Sequence, residues 1–329
     1  MIWEYTNREE HMKYILFGAG RYGHIAEQIV GSNNVICYVD NCPPPEDNIP
    51  ILNFQQLLAR GVRDDEIVVI TPNQPQAVIE IFMQLQKAGL RSMLLSDFGK
   101  EMVAREAERY DALNTRENFR TDAATNYYIW DDRFGNAGYT GGYFWMDLWA
   151  AEKIKEVRPS YHIDIGSRVD GFISHLMLLG QRVKVVDIRP ADLGLPYVEF
   201  VQGDATNLSI FEDETIESLS ALCSPEHFGL GRYGDSLDPE ACFKFFRAIS
   251  RKLKSKGRVY IAVPVGKEHV EFNAHRIFSP YTVIKEMGKE MLLREFSVTN
   301  GEHIEKNANI KKYDNLEGHV VGLFEFAKV

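Results

Sequence analysis

The sequence predicts an α/β protein of two doubly wound domains, and three observations carry that prediction. The same order of apolar strand, glycine turn, amphipathic helix and strand ending in an acid occurs twice, from Lys13 and again from Tyr161. The 329 residues are about twice the usual length of one domain. Beyond Tyr161, strand-length apolar runs alternate with amphipathic stretches, the order that builds a parallel sheet covered by helices.

The first copy reads KYILF, GAGRYG, HIAEQIV and NVICYVD. After Pro50-Ile51 the pattern predicts a short helix near Phe54 to Ala59 and a buried strand from Glu66 to Thr71. The next helix carries Ala77, Val78, Ile81, Phe82, Leu85 and Ala88 on one face, at spacings near 3.6. A short strand near Arg91 to Leu95 closes a small Rossmann-like domain over 1–98. From Lys100 to Asp122 charges of both signs alternate, which predicts a solvated linker helix within 99–126. Tyr127 to Trp149 is dense in aromatic residues and glycine, suited either to covering a ligand or to packing on the domain that follows. The second domain, 127–329, has predicted strands at 161–165, 183–187, 198–201, 218–223 and 258–265. Two more, near 293–299 and 319–327, are joined by a polar excursion without an intervening helix, which predicts an antiparallel hairpin on the edge of the sheet.

Acidic residues outnumber basic ones, 47 to 37, for a net charge of −10. That excludes a large basic footprint for nucleic acid or an anionic membrane, and leaves room for a local basic pocket. Cys37, Cys42, Cys223 and Cys242 are too few and too scattered for a disulfide framework, and no metal-ligand spacing is visible. Free thiols in a reducing compartment fit best. The N-terminus, MIWEYTNREEHMK, is charged and unlike a secretory leader, and the longest apolar runs are strand-length. The expectation is a cytoplasmic protein with no membrane span; a homo-oligomer is compatible with it.

Three segments carry chemistry. Gly18, Gly20 and Gly23 form a G-x-G-x-x-G turn between a strand and a helix, and Asp40 follows where an acid accepts from ribose hydroxyls. This suits a nucleotide or nucleotide-sugar, or else a βαβ unit kept for packing or dimerisation. The loop Pro225 to Asp235 presents Glu226, His227, Arg232, Tyr233 and Asp235 among three glycines. His227 there suits a general base oriented by Glu226 or Asp235, with Arg232 and Tyr233 toward substrate. The alternative is that Glu226 and His227 only cap or hold the loop. Asn273, His275 and Arg276 follow the fifth strand; they suit a polar or phosphorylated acceptor, with His275 a second candidate base, or they fasten a loop.

The first half, through ILFGAGRYG, YVDNCP, IPILNFQQLL and IVVITP, resembles the small Rossmann-like N-terminal domains of bacterial sugar-modifying enzymes. In such domains the ligand is often a nucleotide-sugar or unknown, so the resemblance does not by itself imply hydride transfer. The second half resembles class I S-adenosylmethionine-dependent methyltransferases through HIDIGS, VVDIRP, VQGDATNL, SLSALCSPEHFG and LKSKGRVYIAVPVG. The resemblance implies a methyltransferase-like sheet with S-adenosylmethionine as cofactor. It places Asp164 and Gly166 at the methionine end, Asp187 on the ribose hydroxyls and Asp204 at the adenine amino group. More narrowly, Tyr143 to Ala327 resembles domain of unknown function 268 through FWMDLWAAEKI, HIDIGSRVDGF, EHFGLGRYGDSLDPE and VEFNAHRIFS. One departure stands out: Gly166 is followed by Ser167, Arg168, Val169 and Asp170 rather than by alternating glycines. Arg168 then either obstructs the cofactor or pairs with its carboxylate.

The expected activity is methyl transfer to a hydroxyl or amine of a small sugar or nucleotide-sugar in glycan biosynthesis, with His227 or His275 as base. Two other readings remain: a non-catalytic nucleotide or nucleotide-sugar binder, and an NAD(P)-dependent oxidoreductase using Gly18 to Gly23.

Overall fold

The computed structural model describes residues 12–41, 48–135, 138 and 140–329. Cys42 and the charged N-terminal segment lie outside the described residues. The chain forms two compact units, Met1–Ala137 and Gly138–Val329.

The first unit begins with β1 (Lys13–Phe17), α1 (Arg21–Val30), β2 (Val35–Val39), β3 (Ile51–Leu52) and α2 (Phe54–Arg60). It continues with β4 (Glu66–Ile70), α3 (Pro75–Lys87), β5 (Ser92–Leu94) and α4 (Leu95–Leu113). All strand pairs are parallel, in the order β3-β2-β1-β4-β5. Helices on both faces explain why the strands are continuous apolar runs: Ile15, Phe17, Val39 and Val68 meet Leu57 and Leu85, while Leu16, Tyr38 and Val69 meet Ala26 and Phe98. The charged helix starts earlier than the charge pattern suggests. Leu95 and Phe98, three residues apart on one face, are buried in the core, so the first turn of α4 is structural and only the remainder is solvated.

The second unit runs α5 (Phe144–Val157), β6 (His162–Ile165), α6 (Ser174–Leu178), β7 (Val183–Asp187), β8 (Val198–Gln202) and β9 (Ile216–Leu222). Then follow α7 (Ala241–Lys252), β10 (Leu253–Gly266), β11 (His269–Glu271), β12 (His275–Ile277), α8 (Pro280–Met287) and β13 (Met291–Thr299). β14 (Ile304–Glu305), α9 (Ile310–Tyr313) and β15 (His319–Lys328) end the chain. The sheet order is β14-β13-β15-β10-β9-β6-β7-β8. β8, β7, β6, β9 and β10 are parallel, whereas β15 pairs antiparallel with both β10 and β13. This is the mixed α/β sheet with an antiparallel final hairpin expected from the sequence. The β11–β12 hairpin was not foreseen, because three-residue strands carry too little periodicity to read.

The aromatic stretch serves several ends. Met146 and Trp149 are buried on the inner face of α5 with Ile154, and Tyr143 lines a cleft. Trp130 instead packs in the first unit, where a side chain on Gly99 would collide with its indole.

A buried polar chain crosses from β9 to β6. His162, fully buried, bonds Ser218 Oγ through Nδ1 and Ser220 Oγ through Nε2, both at 2.8 Å. Ser220 in turn donates to Asp164 at 2.5 Å. Since that hydroxyl proton goes to Asp164, Ser220 accepts from His162 Nε2–H, and Ser218 donates to Nδ1. Burial pushes the imidazole down to about 3, so it stays neutral.

Candidate active site

Parallel α/β sheets leave a crevice beyond the carboxyl ends of their strands, and here it is a cleft of ≈ 1210 Å³ within the second unit. After β6 the chain turns at Gly166, whose φ of +76° is left-handed and whose missing side chain would sit 3.1 Å from Ser224 Cβ. Ser224 Oγ donates to the Ile165 carbonyl at 2.7 Å, which ties this turn to the loop after β9.

Asp164 does not face the cleft. It is fully buried under the turn, accepting from Ser167 N at 3.0 Å, Ser167 Oγ at 2.8 Å and Ser220. Burial raises it to about 6, against the pull of those hydrogen bonds. Its place is to shape the Gly166 turn from below, where the sequence reading had it touching the ligand.

Gly166, Arg168, Asp187 and Asp204 do line the cleft together. Arg168 is exposed and forms a two-point ion pair with Asp170 (Nε to Oδ1, 3.0 Å), so its guanidinium is folded onto its own turn. Asp187 ends β7. Arg189 occupies both of its oxygens, with N and Nε at 2.8 and 2.9 Å from Oδ1 and a guanidinium nitrogen at 2.7 Å from Oδ2. Burial opposes ionisation of Asp187, yet the bonds from Arg189 outweigh it and hold the carboxyl below its ordinary range. Asp204 is exposed; one oxygen caps Thr206 N at 2.7 Å in a tight turn.

The loop after β9 lines the same cleft. His227 Nδ1 lies 2.6 Å from the Ala274 carbonyl, which only accepts, so Nδ1 carries the proton and Nε2 keeps its lone pair. Burial outweighs that bond, pushing His227 down to about 4 and keeping the ring neutral at pH 7. Glu226 is buried beside it, pushed up to about 8 by desolvation, and its Oε2 has no hydrogen-bond partner among the described residues. The two side chains are 3.7 Å apart, too long for a hydrogen bond. Tyr233 packs edge-on against His227, with the guanidinium carbons of Arg189 and Arg232 at 4.6 and 5.2 Å from its ring centre.

Two other candidate residues fasten loops, Asp235 while also lining the cleft. Asp235 accepts from Gly229 N at 2.7 Å, Gly231 N at 3.3 Å and Tyr233 N at 3.2 Å, holding the loop closed. Arg276 is 6% exposed and donates to the carbonyls of Phe228 (2.6 Å), Glu226 and Pro239. It therefore points away from the cleft, as its neighbour His275 on alternating β12 points toward it. Asn273 sits exposed at the β11–β12 turn, outside the cleft lining.

Several lining residues escaped the sequence reading. Asp147 on α5 is 9% exposed and pushed up to about 6 by burial. The only signal was an acid at a core-facing helix position within FWMDLW. Burial also raises Tyr143, which lines the same wall. His319 lies beside His275 with ring centres 5.3 Å apart.

In the first unit, Gly18 has φ +116° and Gly23 lies so close to the Gly18 carbonyl that a side chain would come within 2.1 Å of it. Gly20 opens α1. Asp40 reaches back to this turn, accepting from Ala19 N at 2.9 Å. That carboxylate reinforces the turn.

No curated protein matches the chain. Among solved structures, a geranyl diphosphate methyltransferase in complex with S-adenosylmethionine aligns at TM-score 0.41 and 12% identity, over 56% of this chain and 84% of that one. The Burkholderia thailandensis 1,6-didemethyltoxoflavin-N1-methyltransferase aligns at TM-score 0.38 and 14% identity, over 69% and 90%. The cyclase SpnF aligns at TM-score 0.41 and 11% identity, over 59% and 85%. Likenesses this distant assign no reaction. Residues 198–320, which span the Glu226–His227 loop, the β11–β12 hairpin and His319, match the family model described as Caenorhabditis protein of unknown function, DUF268.

Proposed function

We propose that the second unit binds S-adenosylmethionine and methylates a hydroxyl or amine of a small polar acceptor, a sugar or nucleotide-sugar being the preferred class. One observation carries this reading: the Gly166 turn, Asp187 and Asp204, from three successive strand ends, converge on one cleft that His227 also lines. The cleft exceeds the usual size of a single-ligand pocket, which suits a cofactor together with an acceptor. Gly166 would admit the cofactor's methionine end, Asp187 its ribose hydroxyls and Asp204 its adenine amino group. The bound sulfonium supplies an activated methyl group. His227 Nε2, left with its lone pair because Nδ1–H is spent on the Ala274 carbonyl, would accept the proton of the acceptor hydroxyl or amine. Protonated Glu226 offers a neutral O–H donor nearby, and the rest of the rate comes from positioning.

Isothermal titration with S-adenosylhomocysteine tests the cofactor assignment. Saturable one-to-one binding is expected, weakened at least about tenfold in Asp187→Ala, the loss of about 1.4 kcal/mol. Arg189→Ala, which frees both Asp187 oxygens, is expected to bind as tightly as the parent or tighter. Absence of binding at millimolar ligand would overturn the assignment.

The engagement of Asp187 by Arg189 and of Asp170 by Arg168 favours a second reading, a non-catalytic nucleotide or nucleotide-sugar binder. Under it, a uridine or guanosine diphosphate sugar binds more tightly than S-adenosylhomocysteine. For the first unit, a nucleotide at Gly18, Gly20, Gly23 and Asp40 remains a proposal on the same footing.

A further inference from the structure

We propose that Glu271, His275 and His319 form a binding site for one divalent transition-metal ion at the rim of the cleft. β11 and β12 pair so that Glu271 lies directly opposite His275, and Glu271 Oε2 is 3.1 Å from His275 Nε2. His319 is the first residue of β15, paired with Gly266 at the end of β10, which brings it edge-on to the His275 ring. One ligand atom from each of the three residues lies within 4.8 Å of the others. A tetrahedral site with bonds of about 2.1 Å separates its ligand atoms by about 3.4 Å, so side-chain rotation alone closes the set.

A second observation points the same way. His275 Nε2 is sealed from solvent and, despite its nearness to Glu271, makes no well-aligned hydrogen bond among the described residues. A buried ring nitrogen in that state costs free energy unless something accepts its lone pair or its proton. His269 adds support at the edge. Its Nδ1 bonds the Lys267 carbonyl at 2.7 Å, which turns Nε2, with its lone pair, to within 3.4 Å of Glu271 Oε1. Two imidazoles with one carboxylate suit zinc, manganese or iron(II) far better than magnesium or calcium, which select oxygen ligands.

His275 and His319 line the same cleft as Asp187 and Asp204, and the His275 ring centre is 6.4 Å from that of His227. A metal held there by three protein ligands keeps open positions toward the cleft. It would take the oxygen atoms of the acceptor and bring them beside His227; this role, unlike the ion binding itself, rests on the methyl-transfer reading.

The test uses the full chain without an affinity tag, stripped with chelator and titrated with ZnCl2, MnCl2 and MgCl2 by calorimetry, with bound metal counted by mass spectrometry. One zinc or manganese ion per chain is expected, with magnesium at least about 100-fold weaker. Glu271→Gln and His319→Ala, both at exposed positions, are expected to weaken binding at least about tenfold while thermal unfolding stays within a few degrees of the parent. Cobalt(II) gives a readout independent of affinity: a visible band present in the parent is expected to shift or vanish in His319→Ala. Less than one ion in five chains, or unchanged affinity and spectrum in both variants, overturns the proposal. Binding of S-adenosylhomocysteine is measured on the same metal-free protein. Metal binding without it would leave the ion site standing and remove the methyl-transfer role; the converse would remove only the ion site.

Discussion

Gly166→Val is expected to reduce affinity for S-adenosylhomocysteine by roughly 100-fold, close to 2.7 kcal/mol. The backbone at Gly166 has φ +76°, where a side chain costs about 1–2 kcal/mol and a β-branched one more. The new Cβ would meet Ser224 Cβ at 3.1 Å, tighter than ordinary contact, so the turn or Ser224 must move. Ser224 is bonded to the Ile165 carbonyl, so its displacement propagates to the end of β6. Gly166→Ala carries the strain without the branch and is expected to fall between the two. Calorimetry beside thermal unfolding separates a blocked cleft from a lost fold. Unaltered affinity in a folded Gly166→Val protein would remove this turn from the ligand site.

Glu226→Gln is expected to raise the unfolding temperature at pH 8.5 by about 3 °C or more and to leave it unchanged near pH 4. The sign follows from linkage. Burial moves the carboxyl from an ordinary 4.5 up to about 8, so across that window the folded chain keeps a proton that the unfolded chain has released. Parent stability from this group is therefore greatest below pH 4.5, falls as pH rises through the window and levels off above 8. Glutamine has the shape of the protonated acid and no charge to desolvate, so its profile lacks that decline. Fluorimetric melting from pH 4 to 9 reads the difference; parallel profiles for the two proteins would contradict the buried, protonated state of Glu226.

Which features the sequence disclosed depended on the range of the interactions behind them. Asp187 was legible because β7 is a largely buried, mostly apolar parallel strand and the acid that ends it marks the cleft; Asp204 was legible from the Gly203–Asp204 turn that follows β8. The glycine turns were legible because close backbone approach leaves no other residue type. Asp164 was misread at the level of direction: it occupies a strand position whose side chain points into the sheet, and Ser167 and Ser220 meet it there. Arg276 was legible in principle, since alternation on β12 sends it opposite to His275, but so short a strand gave no register to apply. The grip of Arg189 on Asp187 depends on one rotamer, which spacing does not encode. His319 joins Glu271 and His275 only through the antiparallel return of β15, nearly fifty residues onward.

The chain from Ser218 through His162 and Ser220 to Asp164 has a consequence for how this sequence can vary. Each member satisfies the next, and all four lie where water does not reach. Losing one strands a donor or acceptor at a cost of about 1–3 kcal/mol, whereas replacing adjoining partners together by apolar groups of like shape is nearly neutral. The four positions are therefore inherited as a block: related chains should carry all of Ser218, His162, Ser220 and Asp164 or an apolar set in their place, and seldom a mixture.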